Sequence, residues 1–152
     1  MGVLFICVEK EYSCAYGSWN IVRNEMATAT MRYLESLVDI TNAEKMHENK
    51  LICDILTQKD NLTKGVDEFL ETMEQNKRFI NQFIELDIYG LYALLNKADD
   101  HGFYSPGNSK DILLLIRIIK PFIEVEIVLE RIPGIRKMLH ESVKKNHNIT
   151  IM

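Results

Sequence analysis

The run Ile112-Leu113-Leu114-Leu115-Ile116-Arg117-Ile118-Ile119 constrains this chain more than any other segment, because Arg117 alone interrupts its apolar character. A helix that is apolar on nearly every side has no face to give to water. It must therefore sit at the centre of a packed core. The run is far too short to cross a bilayer. Its helix is expected to begin near Asn108 or Ser109. Pro121 lacks an amide hydrogen and crowds the preceding turn, so the helix should bend or end about a turn before it.

Other segments supply partners for that central helix. Trp19, Val22, Met26, Ala29, Tyr33 and Leu37 recur at the three-or-four spacing of a helix face, with Ser18 as a candidate cap. Thr41 or Asn42 is placed to cap a second helix over 43–58. Val66, Phe69, Leu70, Met73, Ile80, Phe83 and Ile84 form a stripe on a third, the longest. Ile88 to Lys97 is a further helical pattern. Val125 to Ile132 should stop at Pro133-Gly134, and Ile135 to Lys145 makes a last amphipathic helix. Val3 to Val8 has strand character, and Ile149 to Met152 is a candidate partner for it. Tyr12 to Gly17 and Asp99 to Pro106 look like loops. The expected fold is mainly α, a compact bundle of six or seven helices with a minor two-stranded element from the termini. A single globular domain over 1–152 fits the length.

Charge narrows the function classes. A formal net charge of −4 speaks against a nucleic-acid or anionic-membrane binder, which carries a basic excess. A protein partner is expected instead, with a homodimer as one form of it. Arg131, Arg136, Lys137, Lys144 and Lys145 cluster thinly and read as a solvated helix face. The 3 cysteines form neither an even set nor a metal-ligand spacing, which points to a reducing, cytoplasmic setting without a zinc site. Cys7 and Cys53 fall on apolar patterns and are expected in the core, and Cys14 is the candidate reactive thiol. Met1 to Val8 lacks the basic start and cleavage site of a secretory leader. No phosphate loop, dinucleotide fingerprint, nucleophile elbow or zinc-protease motif occurs, so no cofactor is expected.

Site chemistry concentrates in the two loops. The first holds Tyr12, Tyr16, Ser18 and Trp19, with Arg23 one turn into the helix that follows. A helix start beside a hydroxyl and a guanidinium can hold an anion. The second holds Asp99, Asp100, His101, Tyr104 and Ser105. Carboxylates beside an imidazole are metal-ligand types, but the spacing is not that of a calcium loop. The same residues also suit a plain helix-to-helix connector, with Gly102 in the left-handed conformation. These ten residues are the ligand-binding candidates. If the two loops lie side by side, they share one cleft in which Arg23 meets Asp99 or Asp100.

The string Leu94-Leu95-Asn96-Lys97-Ala98-Asp99-Asp100-His101-Gly102-Phe103-Tyr104-Ser105-Pro106 resembles a loop of small uncharacterised phage and bacterial proteins. In those, an Asn-His-Ser-Asp-x-Asp-Gly-x-aromatic-Ser/Thr-Pro string precedes an apolar helix. They also carry an aromatic-Ser-aromatic loop opening an early helix, as Tyr16-Gly17-Ser18-Trp19 does here, followed by Arg23. This chain departs at Lys97, Ala98 and His101, which removes donors that a shared metal site would use. The resemblance implies a helical fold with the two loops close together, and carries no activity.

Size, acidity and the missing catalytic motifs together suggest a soluble protein-interaction, immunity-type or host-interaction protein of viral, phage or mobile-element origin. Its acidic faces would steer it onto a basic partner. The alternative is a small enzyme or ligand-binding domain using the cleft between loops 12–19 and 99–105.

Overall fold

The computed structural model describes residues 2–56, 71, 75, 88–96 and 102–152. A four-stranded antiparallel sheet is present, ordered β2-β1-β4-β3, with β1 at Gly2–Cys7, β2 at Lys10–Ala15, β3 at Gly102–Tyr104 and β4 at Ile149–Ile151. The helices are α1 (Tyr16–Ser36), α2 (Met46–Leu56), α3 (Ile88–Asn96), α4 (Pro106–Ile119) and α5 (Glu126–Lys145). The fold is thus mixed α and β, and the expected all-helical bundle of six or seven helices is overturned. The stripe expected over Val66 to Ile84 lies outside the described residues.

Sheet register explains why one face is dry. Val3 faces Cys14, Phe5 faces Tyr12 and Ile151, and Tyr104 faces Ile149. Because side chains alternate, this set shares one side of the sheet and packs under the helices. Val3, Phe5, Cys7, Cys14, Tyr104, Ile149 and Ile151 are all buried. The opposite side carries Glu11, Ile6, Thr150 and Phe103 in one row. The pairing of the first and last strands does form, at the centre of the sheet. Two flanking strands escape the sequence pattern for physical reasons. Lys10–Ala15 is polar on one face and so resembles a loop, and Gly102–Tyr104 is too short to display a period. Gly102 does take a positive φ, 142°, but within the strand and not as a left-handed helix cap.

Helix ends follow local chemistry where it is strong. Ser105 caps α4: its hydroxyl accepts from the Asn108 amide at 3.0 Å while its own amide donates to Asn108 Oδ1 at 3.1 Å. That reciprocal pair starts the helix earlier than Asn108. Asn42 accepts from the Glu44 amide at the short 3-10 turn before α2. Ser18 caps nothing, since α1 begins two residues earlier without a side-chain cap. The helix α4 gives way at Ile119 to a 3-10 turn, Lys120–Phe122, around Pro121.

Two expectations about the helices fail. Pro133-Gly134 does not stop a helix, because α5 runs through both. Val128, Ile132, Ile135, Met138 and Leu139 continue one buried stripe across the proline, and that burial outweighs the lost backbone bond. Gly134 has its own role: a Cβ there would stand 2.3 Å from the Tyr12 ring, so only glycine lets β2 lie this close. The second failure is α4 itself. Ser109, Ile112, Leu115, Ile116 and Ile119 are buried, but Leu114 is 37% exposed and Leu113 and Ile118 are only partly covered. Its apolar character continues onto a side that its neighbours leave open. Where α4 meets α3, a Cβ on Gly90 would stand 2.4 Å from the Asp111 carbonyl oxygen. The two backbones touch there, which fixes α4 in place.

Candidate functional site

Of the ten residues expected to form a cleft, seven are described, and four of these, Trp19, Arg23, Tyr104 and Ser105, are engaged in holding the fold. Arg23 donates from Nε to the Leu94 carbonyl at 3.2 Å and from Nη2 to the Leu95 carbonyl at 2.5 Å. Those carbonyls belong to the last turn of α3, where helical acceptors lack partners and a cation is favoured. The Tyr104 hydroxyl donates to the same Leu94 carbonyl at 3.4 Å. The two patches therefore do meet, through Arg23 and Tyr104, at the end of a helix. Trp19 is buried edge-on against Phe5, with ring centroids 4.8 Å apart. Ser105 is the α4 cap and Ser18 is half-buried in α1. Tyr16 opens α1. Asp99, Asp100 and His101 lie outside the described residues.

Tyr12 and Tyr104 do share a cavity, walled by Phe5, Met138, Leu139 and Ile149, but its volume is about 10 Å³ and its lining is apolar. That is room for about one water molecule, where small-molecule sites need about 300 Å³ or more. The Tyr12 hydroxyl and the Arg131 Nε are both buried without a well-formed hydrogen bond among the described residues, although the Arg131 guanidinium lies close enough to act on the Tyr12 phenol. Burial pushes the Tyr12 phenol up, with Cys14 adding to the rise and Arg131 opposing it. Burial also pushes the Cys14 thiol up, again against Arg131. A thiolate is the reactive form, so burial and the raised pKa together weigh against Cys14 as the reactive thiol expected. Cys53, expected in the core, is the exposed cysteine. Among the described residues, no three His, Cys, Asp or Glu side chains gather as a metal site would need.

The open chemistry lies elsewhere, on the uncovered side of α4. After its 3-10 turn the chain folds back as α5, and the two helices flank a groove made of two depressions, of about 330 and about 460 Å³. Lys120, Arg136 and His140 line both, so the depressions are continuous. Lys110 and Arg117 border the first and Lys137 the second. Leu113, Leu114 and Leu129 give the groove an apolar floor, with Ile116 and Ile132 buried beneath.

Among the described residues, no carboxylate lines either depression. The carboxylates of the same region point to other work: Glu124 pairs with Arg32 at 3.3 Å and Glu141 with Lys10 at 3.2 Å. Among the described residues, none of the six basic groups around the groove makes a side-chain hydrogen bond or ion pair. Five of them are Lys or Arg, gathered on one surface of a chain whose formal charge is −4. An open groove of that size, positive at its rim and apolar at its base, is complementary to an anionic group that also carries hydrocarbon.

Comparison with known proteins finds no family whose model matches this chain, and no significant match among curated proteins or solved structures. The groove must be understood from its own geometry. Two signals in the sequence point to it. Residues 102–152 carry 8 Lys or Arg against 5 Asp or Glu, while residues 1–101 carry 10 against 17. The net charge hides that asymmetry, which is itself a pointer to a binding surface. The second signal is surplus apolar content in Ile112 to Ile119, more than a helix on a two-layer fold can bury.

Proposed function

We propose that this chain is a protein-interaction protein that recognises an acidic segment of a partner through the α4–α5 groove. The observation that carries this is the ring of unpaired basic side chains above exposed leucines. Each of the five lysines and arginines is solvated when the groove is empty, and each can gain a charge-assisted contact without breaking one among the described residues. Complementary potential supplies orientation and rate, and the leucines supply affinity once water leaves. An immunity-type or host-interaction role belongs to this class. The polarity is opposite to that suggested by net charge: the binding face is the basic one, and the partner is acidic. A ligand-binding or catalytic role for the loop residues has less support, since Arg23, Tyr104, Ser105 and Trp19 are engaged in the fold and the cavity between the tyrosines is water-sized.

Backbone amide shifts in NMR, followed while poly-glutamate is added at low salt, test the proposal. Shifts should concentrate in Lys110 to Lys120 and Leu129 to His140, and vanish in the triple variant Arg117→Glu, Lys120→Glu, Arg136→Glu. Shifts spread over the whole surface, or shifts the triple variant retains, would overturn it. No helix among the described residues is long and apolar enough to cross a membrane.

A further inference from the structure

We infer that the partner segment binds this groove as an acidic amphipathic helix, laid as a third helix against α4 and α5. The inference rests on the groove being a protein-binding site, as proposed above, and specifies what fills it. Three observations select a helix.

The first is what the groove walls lack. Its borders are side chains of two helices, whose backbone groups are already bonded along each helix. An extended peptide gains its affinity from a free row of amides and carbonyls at a sheet edge. Here Pro133 leaves the Leu129 carbonyl without its helical donor and Pro121 does the same to Arg117, and isolated acceptors with no amide donors beside them cannot support a strand. An occupant must therefore satisfy its own backbone, and a helix does so.

The second is length. Lys110 on α4 to Lys120 at its end spans about 15 Å at a rise of about 1.5 Å per residue. Leu129 to His140 on α5 spans a similar distance. That length accepts about ten residues of helix, or three turns. Three turns present apolar anchors at i, i+3 or i+4, and i+7, which suits a floor of Leu113, Leu114 and Leu129.

The third is the combination of charge and apolar floor. Acidic residues flanking the apolar stripe would meet Lys110 and Arg117 on one side and Arg136, Lys137 and His140 on the other. Nucleic acid fits less well. Single strands bind through aromatic stacking platforms, and among the described residues the groove has no Phe, Tyr or Trp, while its leucines would face phosphates. A flat anionic bilayer cannot enter a concave groove whose leucines lie between two cationic rims.

The test compares four probes by fluorescence anisotropy at low salt: a peptide of about 14 residues, four turns of helix, with Leu at i, i+3, i+4 and i+7 and Glu or Ala elsewhere; a scrambled peptide of the same composition; poly-glutamate of equal charge; and a single-stranded oligonucleotide of equal charge. The patterned peptide should bind about tenfold or more tighter than the scrambled one, and its circular dichroism should gain helix on binding. Leu114→Ala with Leu129→Ala should remove that advantage but keep the weak binding of poly-glutamate. Arg117→Glu with Arg136→Glu should abolish both. Equal binding of patterned and scrambled peptides overturns the helical inference and leaves the acidic-partner proposal standing. Tighter binding of the oligonucleotide overturns both. Failure of every probe to bind also overturns both, provided the variants and parent show the same thermal unfolding.

Discussion

Arg23 and Arg32 are chemically identical to Arg117 and Arg136, yet the protein treats the two pairs in opposite ways. Arg32 donates to Glu25 Oε1 at 2.8 Å and to the Phe122 carbonyl at 2.8 Å, and Glu25 in turn accepts from the Val125 amide at 2.9 Å. Glu25 is 5% exposed. That chain of bonds joins α1 to the turn between α4 and α5 and holds the Val125 amide at the start of α5. Arg23 does equivalent work at the end of α3. Arg117 and Arg136 bond to nothing among the described residues and stand in water beside exposed leucines. A guanidinium with its donors satisfied inside the fold is structure, and one left unpaired next to apolar surface is available for a partner. The comparison predicts which substitutions unfold the protein and which only disarm it.

The largest effect is expected at Glu25. Glu25→Ala leaves the Val125 amide without its acceptor and Arg32 Nη1 with the Phe122 carbonyl but no carboxylate partner, in a buried place. Removing one member of such a pair costs about 3–5 kcal/mol. The lower end fits here because Arg32 is 26% exposed and keeps Glu124. The midpoint of urea unfolding measures it. Glu25→Gln should recover part of the loss, because the amide oxygen still accepts one bond. An unchanged midpoint for Glu25→Ala would erase the distinction between the two regions.

Arg23→Ala comes next, at about 2 kcal/mol, because two helix-end carbonyls lose charge-assisted donors worth about 1.5–3 kcal/mol in such settings. Its signature is local. Hydrogen exchange should speed up in α3 and at Tyr104, which shares the Leu94 carbonyl, and change little in α5.

The same contrast shows what the sequence could disclose. Periodicity placed α1 and α3 well, since Trp19, Val22, Met26 and Ala29 are all buried as the spacing implies. It also caught the two strands that are apolar enough to be seen, Gly2–Cys7 and Ile149–Ile151. It missed Lys10–Ala15, because Glu11 and Ser13 face away from the helices and mask the alternation of Tyr12 and Cys14. The break expected at Pro133 follows from a local rule that tertiary burial overrides. For the site, residue chemistry pointed to Arg23 and Tyr104 without revealing that each is used internally. Residue types state what a side chain can do, and only packing states whether it is free to do it. The groove was hidden for the converse reason. Arg117 and His140 are ordinary alone, and only the return of α5 beside α4 gathers them.

A third prediction concerns the buried side chains of the sheet. Burial pushes the Cys7 thiol up, with Glu141 adding to the rise, and burial also raises Cys14. In the unfolded chain a thiol ionises near pH ~8.5, while in the folded protein both remain protonated there. Their contribution to stability is therefore complete below that pH and is lost as pH climbs through the folded values. Unfolding midpoints should fall from neutral to alkaline pH, and the fall should be smaller in a Cys7→Ala, Cys14→Ala variant. Thiol labelling of the native protein should reach Cys53 first, since it is the exposed one. Labelling of Cys14 before Cys53 would contradict its burial.

The smallest expected effect on stability is the most informative. Arg117→Glu with Arg136→Glu reverses two charges in the groove, a change that often damages a protein when the residues are paired. These two have no bond to lose among the described residues, and both are exposed. Substitution at such positions shifts stability by about 0.5 kcal/mol or less. Relief of like-charge repulsion around Lys120 and Lys137 works for the variant, while loss of the Arg117 cation from the last turn of α4 works against it, so the net change should be small. That repulsion is screened by salt, so any gain should shrink as ionic strength rises. Thermal unfolding of parent and variant at low and high salt measures both quantities. A surface whose charges add little to folding, yet which binds only with them, has its cations placed for a partner. A loss comparable to Arg23→Ala, independent of salt, would instead place the groove arginines with Arg23 and Arg32 as parts of the scaffold.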